Sequence, residues 1–131
     1  MSDAKHTDPF ADLRGEYSPR LRGDRWGPEV DVFETDQGAV VRVEIAGVRS
    51  EDLQVSVDGQ TLHIRGVRRA PEPADVRRLH QMEIATGPFE RRVNIPIAFE
   101  RESVSAHLAE GFLTVTLPRR APARRRVKLE R

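Results

Sequence analysis

The sequence predicts an all-β sandwich with a polar arm before it and a charged extension after it. Three observations carry that reading. Short runs of alternating apolar and polar residues recur between Val30 and Leu117. The breaks between them are rich in Gly, Pro, Asp and Ser, and almost none of that span reads as helix.

Residues 1–27 read as an arm, being polar and interrupted by Pro9, Gly15, Pro19, Gly23 and Gly27. Asp8 and Pro9 suit an N-cap and a first helical position, and Phe10, Leu13, Tyr17 and Leu21 follow at helical spacing. Gly15 and Pro19 keep any such helix short. An arm of this size has no core of its own, so these four side chains are expected to pack on the body, on another subunit or on a bound protein. The alternative is a frayed tail with scattered apolar residues.

The body is expected to span 28–118. Val30 and Val32 alternate with Glu29 and Asp31, Thr35-Asp36-Gln37-Gly38 turns, and Val41, Val43 and Ile45 return, which makes a hairpin. Ser50-Glu51-Asp52 is a cap-like turn able to start one helical turn. Leu53, Val55 and Val57, then Leu62 and Ile64, flank Asp58-Gly59, and this second hairpin is expected to end near Gly66. Residues 67–78 are charged and hold two prolines, so they read as a long exposed loop of the functional or mobile kind. Leu79–Ile84 is expected to be a further strand, and Thr86-Gly87-Pro88 leads into one carrying Phe89, Val93 and Ile95. Arg91 shares their parity, and a charge on the apolar side of a strand needs a partner. After Pro96, Val104, Ala106 and Leu108 alternate, Gly111 supplies a tight turn, and Leu113, Val115 and Leu117 oppose Thr114 and Thr116 until Pro118 ends the ladder.

With 131 residues there is room for one domain of about 90 to 100 residues and two tails. Cysteine is absent, which excludes disulfides and thiol chemistry and fits a reducing compartment, so the cytoplasm is the expected location. No secretory leader and no run of about 20 apolar residues is visible, so neither a membrane span nor a membrane partner is expected. Charge is segregated: residues 1–27 are neutral, 28–118 carry −5 and 119–131 carry +6.

The spelling Ala106-His107-Leu108-Ala109-Glu110-Gly111-Phe112-Leu113 with alternating Thr and Val up to Pro118 resembles the signature of the α-crystallin domain of small heat-shock proteins, in the bacterial and plant type. The resemblance runs from about Trp26 to Pro118. It also takes in Trp26-Gly27-Pro28, Ala46-Gly47-Val48, Leu62-His63-Ile64-Arg65-Gly66, and His80, Glu83, Gly87, Phe89, Arg91, Ile95 and Pro96. It implies an immunoglobulin-like β-sandwich and an ATP-independent holdase that keeps partly unfolded proteins from aggregating, with no cofactor and no catalysis.

The resemblance also implies where partners bind. A short strand in the loop, Asp75, Val76, Arg77 and Arg78, is expected to pair with Val30, Asp31, Val32 and Phe33 of a sister chain, giving a reciprocal homodimer with Arg91 at its interface. Val127-Lys128-Leu129 is similar to the family's Ile-x-Ile motif, which docks in a neighbour's groove. Here that groove would be lined by Leu53, Val55, Val57, Val104 and Ala106. Val and Leu depart from the usual pair and the arm is short, so a dimer is expected before any larger oligomer.

Enzymatic readings find no support. Ser50, Ser56, Ser103 and Ser105 sit in no nucleophile-elbow sequence, no Gly-rich loop precedes a helix, and His6, His63, His80 and His107 lack the spacing of a metal site. The rival to a holdase is nonspecific binding of nucleic acid or an anionic surface through Arg119, Arg120, Arg124, Arg125 and Arg126. No aromatic residue is interleaved there for base stacking, so no nucleic-acid partner is expected. A third reading, a sandwich-shaped co-chaperone of an ATP-driven chaperone, is disfavoured by the Gly111-Leu113 signature.

Overall fold

The computed structural model describes residues 26–122 and 126–130. Among them are seven strands: β1 (Val30–Thr35), β2 (Gly38–Glu44), β3 (Leu53–Asp58), β4 (Thr61–Arg68), β5 (Gly87–Asn94), β6 (Ser105–Ala109) and β7 (Phe112–Pro118). They form two antiparallel sheets, one in the order β1-β2-β7-β6 and one in the order β3-β4-β5. The chain is therefore an all-β sandwich. No helix among the described residues is long and apolar enough to cross a membrane.

Alternation in the sequence becomes the inner faces. Val41 lies opposite Val32 on one side and Val115 on the other, and Val43 lies opposite Val30 and Leu113. In the second sheet Val57, Leu62 and Val93 share a row, as do Val55, Ile64 and Arg91. The two faces enclose Val41, Val43, Ile45, Leu62, Ile64, Phe89, Ile95, Leu113, Val115 and Leu117. Aliphatic packing of this kind supplies most of the folding free energy, since polar groups on the outer faces stay solvated.

Turn chemistry fixes the register. The Thr35 hydroxyl accepts from the backbone N–H of Gln37 and Gly38 at 3.1 and 3.2 Å, closing the β1–β2 hairpin. Between β6 and β7 both Glu110 (φ 53°) and Gly111 (φ 83°) adopt left-handed backbone, as a two-residue I′-type turn requires. At Gly66 the need is for space. A Cβ there would lie 2.4 Å from Phe89 Cζ, because the phenyl ring fills the position a side chain would take.

Three expectations change. β4 runs on to Arg68, two residues past the expected stop. Ser50–Asp52 forms a single 3-10 turn, but no side-chain cap closes it; the Asp52 N–H bonds to the Arg49 carbonyl at 2.9 Å instead. Leu79–Ile84 is not a strand, and residues 69–86 cross the surface with no ladder. The physical reason is visible in the residues: Leu79, Met82 and Ile84 do not share one side of an extended chain, and among the described residues no strand lies alongside to take up their backbone.

Candidate functional site

One open sheet border, the loop after β4 and the groove between the sheets hold most of the residues singled out by sequence. Among the described residues β1 ends the first sheet and pairs with β2 alone. Val32 points inward, opposite buried Val41, yet is 42% exposed, and Phe33 on the other side is 44% exposed. Apolar side chains on both faces of an edge strand mark a border that is dry on neither side.

The segment carrying Asp75, Val76, Arg77 and Arg78 stands off the body. A turn at Ala74-Asp75, with Asp75 at φ 62°, leads into exposed residues that include Val76 and Leu79. Among the described residues no strand pairs with it, and one chain does not bring it to β1.

Arg91 sits on the inward side of β5 beside Ile64. Its Nη1 donates to the Pro28 carbonyl at 2.6 Å, two residues before β1 begins. A buried carbonyl is thereby satisfied by a cation whose own placement would otherwise be unfavourable. The guanidinium thus ties the second sheet to the start of the first.

The groove lies between the edge strand β3 of one sheet and the edge strand β6 of the other. It encloses about 210 Å³ and brings Val55, Val57, Val104 and Ala106 together with Leu62. Leu53, placed in the same set by sequence, packs against the core and does not line the groove. Val127 and Leu129 are 78% and 87% exposed, so the tail does not fill its own chain's groove. Phe10, Leu13, Tyr17 and Leu21, together with Arg124 and Arg125, lie outside the described residues. Arg119 is engaged with the body, donating through Nη2 to the Glu34 carboxylate at 3.0 Å and to the Thr35 carbonyl at 2.8 Å.

Two carboxylates have shifted titration. The Arg69 guanidinium bonds both oxygens of Asp52 at 3.0 and 3.1 Å and holds this buried carboxyl below 3.8, against the upward push of burial. On the outer face of the second sheet, the hydrogen bond from His63 holds Glu90 below 4.5, with Arg92 and Arg65 adding to it. Both are structural pairs. Among the described residues, no cluster of three or more His, Asp or Glu could hold a metal ion.

Sequence reasoning missed a cavity of about 660 Å³ between the end of β2, the end of β4 and the 81–86 segment. Trp26 stands beside it. The Arg68 guanidinium lies 4.3 Å from the indole centroid, the ring meets Phe89 edge-on at 5.1 Å, and Nε1 donates to the Gly87 carbonyl at 3.0 Å. A lone tryptophan at the junction of arm and body was the available signal, since so large a ring is rarely left in solvent.

Comparison with known proteins agrees with this architecture. The Hsp20/alpha crystallin family model matches residues 31–130. A 17.4 kDa class I heat shock protein of Oryza sativa is 32% identical over 124 residues, which is 92% of this chain and 80% of the rice protein. Heat shock protein 16.0 from Schizosaccharomyces pombe superposes with a TM-score of 0.68 at 29% identity, covering 81% of this chain and all of that one. A small heat-shock protein from Xylella fastidiosa, described as having a distinct high order structure, superposes with the same TM-score of 0.68 at 26% identity, covering 82% and 99%. This chain belongs to the Hsp20/α-crystallin family, the small heat-shock proteins, which are non-enzymatic chaperones.

Proposed function

We propose that the protein is an ATP-independent holdase that binds partly unfolded proteins and suppresses their aggregation. The observation that carries this reading is the pairing of an apolar groove with an apolar, half-open sheet border in one small domain. An unfolding protein presents the complement of both: extended backbone without partners and exposed aliphatic side chains. Burying those side chains contributes roughly 25 cal/mol per Å², and the backbone at an edge adds hydrogen bonds that do not depend on sequence. Selectivity is accordingly weak, which suits a binder of many proteins.

Self-association uses the same surfaces at rest. The segment Asp75–Arg78 of one chain adds to Val30–Phe33 of its sister, and the reverse exchange closes a two-fold dimer. Arg91 acts in this interface through the Pro28 carbonyl, fixing the course of the chain as it enters the border that the partner takes up. Val127 and Leu129 dock in the β3–β6 groove of a neighbouring dimer. The arm, through Phe10, Leu13 and Tyr17 ahead of Leu21, adds apolar contacts to clients, and the working location is the cytoplasm. Residues 1–27, 28–118 and 119–131 serve as arm, domain and extension respectively.

The test is light scattering from heated citrate synthase with added chain and no nucleotide. Scattering is expected to fall progressively as the chain approaches an equimolar amount. Undiminished scattering at that ratio rejects the holdase reading.

A further inference from the structure

We infer that the cavity between the ends of β2 and β4 and the 81–86 segment seats the residues that run into Trp26 of the same chain, with Leu21 as the side chain that fills it. Its walls include Ala46, Gly47, Ala70, Pro71, Met82 and Ile84, and Ile84 is among the most exposed apolar residues of the body. The cavity is thus apolar over much of its surface and open for an occupant.

The tether argues for the arm. Trp26 is pinned by Arg68 and by the Gly87 carbonyl, and Arg68 and Thr86 both line the cavity, so the chain enters the body at the cavity's wall. Leu21 lies five residues upstream. Five extended residues reach about 17 Å, and a tether that short holds its side chain at an effective concentration on the order of millimolar. A free segment of another protein has no such advantage.

The charge of the wall fits that occupant. Glu44 and Glu83 also line the cavity, their carboxylates accepting from the Ala46 N–H and from the Gln81 amide. The stretch Tyr17–Arg25 carries Arg20, Arg22 and Arg25 against Asp24, with two of these arginines directly flanking Leu21. The arginines already at the cavity are occupied. Arg68 holds Trp26 and the Ala46 and Ala85 carbonyls, and Arg69 holds Asp52.

Because the chain has no cysteine, disulfide trapping is clean. In the full chain, Leu21→Cys with Ile84→Cys is expected to form an intrachain disulfide on mild oxidation, identified by peptide mass in a mixture of isotopically light and heavy chains. Leu21→Cys with Val55→Cys, which aims at the other groove, is expected to form none. Separately, Leu21→Ser is expected to speed amide exchange in 81–86 by about tenfold while leaving 104–108 unchanged. Links found only between light and heavy chains assign the cavity to a second copy and overturn the proposal. Equal linking in the control pair, no link at all, or unaltered exchange in 81–86 overturns it as well. None of these outcomes depends on the holdase reading, which the scattering experiment tests alone.

Discussion

At residue scale the domain depends on a few charges placed where charge is costly. Asp52 is 7% exposed and ends the turn that launches β3, while Arg69 starts the 69–86 segment, so their pairing joins two parts distant in sequence. The folded carboxyl titrates below its usual value because of Arg69, so the stability it contributes is present above that value and is lost as pH falls through the folded pKa. Glu90 behaves alike through His63. Asp52→Asn is therefore expected to cost about 2 kcal/mol at neutral pH and to flatten the fall in stability below about pH 4, read by urea melts across pH. Asp52 was legible only as part of a turn, because its partner lies 17 residues away and nothing local announces the pair. Arg91 was legible as an anomaly of parity, but its acceptor, a backbone carbonyl, leaves no trace in a side-chain pattern.

At element scale the strands were readable where one face is buried, since period two then has a physical cause. The hairpins at Asp36-Gln37 and around Gly59 follow from turn residues with few alternatives. The reading failed at Leu79–Ile84, where Leu79 and Ile84 are exposed and no strand among the described residues lies alongside to pair with them. The groove was readable in outline, because β3 and β6 each end a sheet. Which side chains line it depends on how the sheets splay, and this sets Leu53 aside. Truncation at Ala121 removes Val127 and Leu129 without touching a strand. It is expected to leave the melting temperature within about 3 °C and to reduce any assembly above the dimer to the dimer, as seen by light scattering of the sized particle. A particle smaller only by the mass of the tails would show that the tail does not dock.

Across the whole molecule, rigidity is concentrated in the interior and openness at the borders. A charge placed at such a border should spare the fold and spoil the assembly. Val32→Lys is expected to keep the β signature in circular dichroism while raising the dimer dissociation constant by at least about tenfold, measured by sedimentation velocity over a dilution series. An unchanged constant would move the dimer contact away from β1. Trp26 has a further consequence. It is the sole indole in the chain, and its surroundings are a guanidinium, a phenyl edge and one carbonyl, contributed by β4, β5 and the start of β5. The protein therefore carries an intrinsic optical gauge at the point where its leading segment meets the sandwich, and a tug on that segment by another molecule would register as a change in emission without any added label.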